Sequence, residues 1–147
     1  MKKIAIISTC PPQECGLATF TKDLKQGMEL DASVHIDLIA LSKHGVEDFD
    51  ESVRFVIHKD RLDSYHQAAR LINEEYDYCV IQHEFGIFGG VDGIFITQIA
   101  NNLTIPLLTI FHTILQTPSL QQKEIMELLL EKSQAVVSLS PKGVELL

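Results

Sequence analysis

Short apolar runs alternate with longer amphipathic segments along this chain, and this alternation limits the folds that it can adopt. The apolar runs lie at 4–7, 34–41, 53–57, 78–82, 106–111 and 135–139. Most of the intervening segments carry apolar residues at helical spacing, with polar residues on the opposite side. The pattern is typical of βαβ units, so we predict an α/β domain in which a parallel sheet lies between two helical layers.

Polar residues at the starts of the amphipathic segments predict where the helices begin. Asp60 and Asp92 are expected to cap the second and third helices. Ser119 and Gln122 have the spacing of a capping box, which predicts the start of the fourth helix. The third apolar run, 53–57, is short, and we expect it to lie near the edge of the sheet.

A fifth helix is expected to begin at the end of the chain. Ser140 and Pro141 resemble an N-cap followed by the first helical residue. The sequence stops at Leu147, about two turns into that helix. We therefore expect residues 1–147 to be one domain that forms a fragment of a longer protein.

Composition argues against several classes of protein. The chain of 147 residues has 46% hydrophobic and 22% charged residues, which is ordinary for one folded domain. Its net charge of −8 disfavours a nucleic-acid partner, which needs a clustered basic surface. Three cysteines without a CxxC pair argue against a disulfide framework or a zinc knuckle and favour a reducing, cytoplasmic setting. No apolar run approaches the length of a membrane span, so we expect no integral membrane segment.

The carboxyl edge of the predicted sheet gathers candidate ligand-binding residues. With a Rossmann-like strand order of 3-2-1-4-5-6, the winding reverses between strands one and four, where open α/β sheets bind ligands. The candidates follow strands one, four and five: Cys15 and Gly16; His83, Glu84 and Gly86; His112 and Thr113.

Gly16 has two interpretations. At the start of the first helix, free N–H groups and the helix dipole favour a phosphate or carboxylate, and a glycine would let the ligand approach the backbone closely. Alternatively, Gly16 only turns the chain into the helix. A GxGxxG fingerprint and a P-loop are both absent from the sequence, which argues against NAD or ATP.

The ionisable candidates also have structural alternatives. His83 and Glu84 are adjacent, so on a strand they would point to opposite sides, and one could simply bond to backbone at the strand end. His112 ends an apolar strand, where a lone histidine is often a hydrogen-bonded core residue, but its position at the sheet edge favours a functional role. These residues lack HExxH-type spacing, so we expect no metal site. Nothing in the sequence supports Cys15 as a nucleophile paired with a histidine.

Three ordered blocks resemble bacterial glycosyltransferases of family 4. Residues 11–21, PPQECGLATFT, are similar to that family's PP-x-x-C-G-I-A-T-F-T opening. Residues 82–90 read QHEFGIFGG, which resembles a block of one of its subgroups. His112 and Thr113, followed by Pro118 and Gln122, resemble an HT…P…Q block. Residues 136–140, VVSLS, are similar to the strand that follows in the family.

The resemblance implies the N-terminal, acceptor-side half of a GT-B fold. Such enzymes transfer a sugar from a nucleotide-sugar with retention of configuration, usually without a metal or cofactor. The implied donor is a GDP- or UDP-hexose, such as mannose or glucose, and the implied acceptor is a saccharide or a lipid-linked saccharide. The donor-binding C-terminal domain, which carries an E-x7-E motif, is absent from this sequence. The fragment alone is therefore expected to be inactive.

The resemblance also implies roles for individual residues. His112 would lie beside the donor sugar as the catalytic residue, and Gly16 would approach the substrates. His83 or Glu84 would orient the acceptor hydroxyl. Cys15, Gly86 and Thr113 match the same blocks and are expected at the substrate site. The alternative to a transferase is a non-catalytic Rossmann-like module that binds one ligand or partner.

Overall fold

Six strands form a parallel sheet in the computed structural model, which describes residues 1–139 and 141–146. The strands are β1 (Lys2–Ser8), β2 (Val34–Ser42), β3 (Val53–His58), β4 (Tyr78–His83), β5 (Leu107–Phe111) and β6 (Ala135–Ser138). Their order is β3-β2-β1-β4-β5-β6, and each neighbouring pair is parallel. This confirms the predicted Rossmann-like order and places β3 at one edge. The winding reverses between β1 and β4.

The described residues form five helices, of which the first four connect strands and the last follows β6. They are α1 (Gly16–Met28), α2 (Leu62–Glu75), α3 (Ile96–Asn102), α4 (Leu120–Lys132) and α5 (Pro141–Leu146). Two short 3₁₀ turns, Phe85–Ile87 and Val91–Gly93, lie between β4 and α3. Among the described residues, no helix combines the length and the apolarity needed to cross a membrane.

The two faces of the sheet are packed by different helices. Because side chains alternate along a strand, Ile4 and Ile6 of β1 belong to one core cluster, against which Leu24 of α1 packs. Ala5 and Ile7 belong to a larger cluster on the other face, together with residues of α2, α3 and α4. The predicted three-layer arrangement is confirmed, with α1 on one face and α2, α3 and α4 on the other.

The predicted helix starts have different outcomes. Ser119 is the N-cap of α4, and it forms both hydrogen bonds of the capping box with Gln122, as predicted. Asp60 does not cap α2; that prediction was wrong, because the helix begins one residue later and Arg61 occupies the cap without a side-chain bond. The proposed cap at Ser140 lies outside the described residues.

Asp92 does not cap α3 either. Its backbone has a φ of +56° within the second 3₁₀ turn, and α3 begins only at Ile96. Its carboxylate instead accepts hydrogen bonds from Ser119 Oγ at 3.3 Å and Gln122 Nε2 at 3.5 Å. The carboxylate that was predicted to cap α3 therefore supports the start of α4.

Tyr65 of α2 holds the glycine-rich loop after β4 in place through hydrogen bonds of its hydroxyl group. The buried phenol accepts a hydrogen bond from the N–H of Gly89 and donates one to the carbonyl of Lys59, each at 2.9 Å. A Cβ atom on Gly89 would lie 1.9 Å from that same carbonyl oxygen. A Cβ on Gly86 would meet nothing within 4 Å. The fold thus requires glycine at position 89 but not at position 86.

Gly89→Ala and Gly86→Ala form a matched pair that tests this difference. We expect Gly89→Ala to lower the free energy of unfolding by about 2–3 kcal/mol, because the new methyl group overlaps backbone that cannot easily move. Gly86→Ala should change it by less than about 0.5 kcal/mol. Urea denaturation followed by circular dichroism measures both. Equal effects of the two substitutions would contradict this account of the loop.

Candidate functional site

The carboxyl ends of β1, β4 and β5 bring most of the candidate residues to one edge. Cys15 ends the β1–α1 loop and Gly16 begins α1, while Glu84 and His112 directly follow β4 and β5. The ladder continues past the end of β5, since the N–H of His112 donates to the carbonyl of His83 at 3.0 Å. The site therefore lies at the switch point between β1 and β4, where open α/β sheets bind ligands.

His112 is held by a strand on one side and a helix on the other. Its Nε2 lies 2.6 Å from Oε1 of Gln82, the penultimate residue of β4. The rings of His112 and Phe20 of α1 pack edge to face, with their centroids 4.9 Å apart. Together these contacts fix the imidazole between β4 and the first half of α1.

The surroundings of His112 favour its neutral form. Partial burial lowers the pKa of the imidazole from its usual value, and the negative charge of Glu84 opposes this shift. Since the ordinary pKa of histidine is about 6.5, the ring is largely uncharged at neutral pH. It can then donate one hydrogen bond and accept another.

Glu84 and Thr113 form a second polar contact at this edge. The hydroxyl of Thr113 donates to Oε2 of Glu84 at 2.9 Å, and both side chains are half-buried. The other carboxylate oxygen can still accept a hydrogen bond from a ligand. The arrangement brings together two of the predicted site residues from different strands.

Cys15 caps α1 through its sulfur. Sγ accepts a hydrogen bond from the N–H of Ala18 at 3.4 Å and lies 3.4 Å from Oγ1 of Thr9. An α-helix leaves its first N–H groups without intrahelical partners, so those of Gly16 and Leu17 are left for solvent or a ligand. The thiol is exposed and stabilises the helix start.

The surface in front of Gly16 is open. A Cβ on Gly16 would meet nothing within 4 Å, so the fold does not demand a glycine there. An open cavity of about 590 Å³ lies beside it, lined by residues of the β1–α1 loop and the first turns of α1, including Thr19 and Lys22. This geometry suits the interpretation that Gly16 leaves room for a ligand.

His83 does not line this edge. Its side chain is 0% exposed and faces the larger core cluster, where three aromatic rings surround it: Phe85 at 4.7 Å, Phe111 at 5.5 Å and Phe88 at 5.8 Å between centroids. Neither ring nitrogen has a hydrogen-bond partner in the described part of the chain. The alternation of side chains along β4 turns His83 into the core, away from the edge where Glu84 and His112 lie.

Gln82, for which no role was predicted, connects the site to the interior. Gln82 is fully buried, and its Nε2 donates to Oγ1 of Thr21 at 3.3 Å. Oγ1 of Thr21 lies 2.8 Å from Oγ of Ser8 and 2.9 Å from the carbonyl of Leu17. A glutamine directly after the apolar run 79–81 is the signal that identifies this residue, because buried polar groups need partners.

No group of three or more histidine, cysteine, aspartate or glutamate side chains within residues 1–139 and 141–146 is arranged to hold a metal ion. The side chains and helix start at this edge offer hydrogen bonding by a neutral imidazole, a carboxylate, hydroxyl groups and N–H groups.

Comparisons with known proteins show similarity at the level of the fold. No family model matches the sequence. No curated protein matches it either. Among solved structures, an alpha-glucosyltransferase in complex with UDP and a 13-mer DNA has a TM-score of 0.65 at 14% identity, over 97% of this chain and 38% of that one. The structure of alpha-glucosyltransferase in complex with UDP has a TM-score of 0.61 at 12% identity, over 94% and 35%.

A smaller protein shares the fold as well. Phenylacrylic acid decarboxylase from Aquifex aeolicus has a TM-score of 0.52 at 18% identity, over 96% of this chain and 83% of that one. The chain thus spans little more than a third of the glucosyltransferases and most of the decarboxylase. At these identities the similarity establishes the Rossmann-like α/β fold that the chain shares with these enzymes.

The buried His83 generates a prediction about acid stability. Burial, aided by the nearby His112, lowers the pKa of His83 from 6.5 to about 4. The unfolded chain takes up this proton below pH 6.5, whereas the folded protein resists it until about pH 4. Since each pKa unit corresponds to about 1.4 kcal/mol, stability should fall by about 3 kcal/mol between these pH values because of this residue.

Urea denaturation at pH 7 and at pH 4 measures this loss. His83→Phe should remove about 3 kcal/mol of the difference between the two pH values. His66→Gln, at an exposed position on α2, is the matched control and should leave the difference unchanged. Equal pH dependence in wild type and His83→Phe would show that the buried ring does not cause the loss.

Proposed function

We propose that this chain is the acceptor-side, N-terminal domain of a retaining GT-B glycosyltransferase of family 4, which transfers a hexose from a nucleotide-sugar to a saccharide or lipid-linked acceptor. The observation that carries the proposal is the placement of His112. It lies at the switch point, neutral and half-buried, between Gln82 and the first turns of α1. The three sequence blocks that resemble family 4 supply the residues of this same edge.

The chemistry of such a site is positional and electrostatic. A neutral His112 hydrogen-bonds a hydroxyl of the donor sugar and holds it in the reactive orientation. Glu84, oriented by Thr113, accepts a hydrogen bond from the acceptor hydroxyl. The free N–H groups at the start of α1 receive an anionic or polar group of a substrate that approaches past Gly16. Each of these interactions restricts the substrates before charge develops in the transition state.

A second domain is part of this proposal. The chain spans 38% of the alpha-glucosyltransferase that it resembles in fold. We infer that a donor-binding domain with an E-x7-E motif completes the cleft and binds the GDP- or UDP-sugar, with mannose or glucose as the hexose. A net charge of −8 argues against DNA as the acceptor, although several of the similar alpha-glucosyltransferase structures contain DNA. Three free cysteines support a reducing, cytoplasmic setting.

The second candidate is a Rossmann-like module that binds a ligand without a second domain. It is favoured by the fold similarity to the decarboxylase, of which this chain covers 83%. In that protein the shared fold makes up most of the polypeptide. Such a module would bind its ligand at the same switch point. Binding of a nucleotide-sugar by the isolated chain distinguishes the two candidates.

His112→Ala tests the proposed site in the transferase that contains this domain. We expect transfer activity to fall by about 10²-fold or more, because a group that holds the reacting sugar is lost. His66→Ala, at an exposed position on α2, should leave activity unchanged. The assay measures sugar transfer, and circular dichroism verifies the fold. Activity of His112→Ala within about twofold of wild type would refute the role of this residue.

The isolated chain of 147 residues should neither transfer sugar nor bind nucleotide-sugars tightly. The reason is that the donor nucleotide would be held mainly by the second domain. Isothermal titration calorimetry with UDP- and GDP-sugars measures this binding. A dissociation constant of about 1 μM, equivalent to about −8 kcal/mol, would contradict the assignment and favour the single-domain module.

A further inference from the structure

Gln82 forms a continuous set of buried hydrogen bonds between α1 and His112. Its side chain is 0% exposed, with one end of the amide at Thr21 and the other at the imidazole of His112. The distances are 3.3 Å from Nε2 to Thr21 Oγ1 and 2.6 Å from Oε1 to His112 Nε2. A buried amide with both ends engaged cannot rotate without losing a hydrogen bond.

The groups around Thr21 determine the direction of these hydrogen bonds. The carbonyl of Leu17 can only accept, and it lies 2.9 Å from Thr21 Oγ1, with Ser8 Oγ at 2.8 Å. The single hydroxyl proton of Thr21 serves one of these neighbours. Its oxygen is then free to accept from the amide N–H of Gln82.

This orientation presents the carbonyl oxygen of Gln82 to His112. Because a carbonyl only accepts, the hydrogen bond requires the proton of the neutral imidazole to be on Nε2. The other nitrogen, Nδ1, then carries a lone pair. Among the described residues, no side chain forms a hydrogen bond with Nδ1, and this atom is not completely buried. It therefore remains accessible to a ligand.

We propose that Gln82 is a positioning residue that fixes the Nε2–H tautomer of His112, so that Nδ1 is left as a hydrogen-bond acceptor at the carboxyl edge of the sheet. The ligand group that this nitrogen selects is a hydrogen-bond donor, such as a sugar hydroxyl, and a carbonyl or carboxylate oxygen is disfavoured there. The identification of that ligand as a sugar rests on the proposed function. The tautomer itself does not depend on it.

The tautomer is measured directly by nitrogen NMR of the histidine rings in the ¹⁵N-labelled protein at neutral pH. Wild type should show a protonated Nε2 and an unprotonated Nδ1 for His112, with slow exchange of the Nε2–H proton. Gln82→Met removes both polar ends at nearly constant length, and it should mix the two tautomers and accelerate that exchange. Gln82→Glu keeps an acceptor oxygen, and it should retain Nε2–H and raise the pKa of His112.

His35 is an internal control in the same spectra. Its Nε2 lies 3.0 Å from Oδ1 of Asp37 on β2, and its signals should not change in either variant of Gln82. Protonation of Nδ1 in the wild-type protein would overturn the proposal, even if neither variant folds. Unchanged tautomer and exchange in a folded Gln82→Met protein would overturn it as well.

Kinetics in the transferase that contains this domain then separate this inference from the proposed function. Gln82→Met should lower kcat by about tenfold or more through misorientation of His112, and Gln82→Glu should recover part of the loss. Absence of any transferase activity in wild type would refute the proposed function and leave the NMR result standing. Unaltered kcat in Gln82→Met, with normal wild-type transfer, would refute the positioning role alone.

Discussion

The pairing of β4 between β1 and β5 is the constraint on which this site depends. Since neighbouring side chains on a strand point to opposite faces, the register fixes where each residue at the end of β4 must go. Gln82 faces α1 and reaches His112, whereas His83 enters the opposite core. Glu84, one residue further, contacts Thr113. A slip of one residue would exchange these environments and place the histidine where the amide belongs.

The two buried polar residues at the end of β4, Gln82 and His83, differ in their hydrogen bonding. Gln82 has partners for both ends of its amide, so its burial stabilises one arrangement of α1, β4 and His112. His83 has none among the described residues and tolerates burial only because its ring stays neutral. Gln82 therefore fixes the geometry of the site, and His83 makes the stability of the fold sensitive to acid.

Sequence reasoning predicted the architecture well because it depends on patterns that repeat. Apolar runs, helical spacing and the capping box at Ser119 each involve several residues that agree with one another. The runs and the spacing indicated βαβ units, and the strand order was predicted as that of a Rossmann-like fold. The helix caps at Asp60 and Asp92 failed because a cap depends on the backbone geometry of a single residue. At Asp92 the chain takes a left-handed conformation, and the carboxylate turns to a different helix.

The candidate site was predicted less completely for a related reason. The order of the strands placed Gly16 and His112 at one edge, but a sequence does not show which member of an adjacent pair faces the core. His83 was predicted as a site residue because it is ionisable, whereas the neighbouring Gln82 makes the contact with His112. Gly86 and Gly89 likewise appear equivalent in sequence, although only Gly89 is confined by neighbouring backbone.

The three thiols of this chain differ in access, and this has a practical consequence. Cys10 and Cys79 are buried, and burial raises the pKa of both, to about 12 for Cys10, so they react poorly with thiol reagents. Cys15 is exposed at the start of α1, beside the open surface in front of Gly16. The natural sequence therefore carries one addressable position next to the candidate site. A fluorophore attached there would report the arrival of ligands, or of a second domain, without any engineered cysteine.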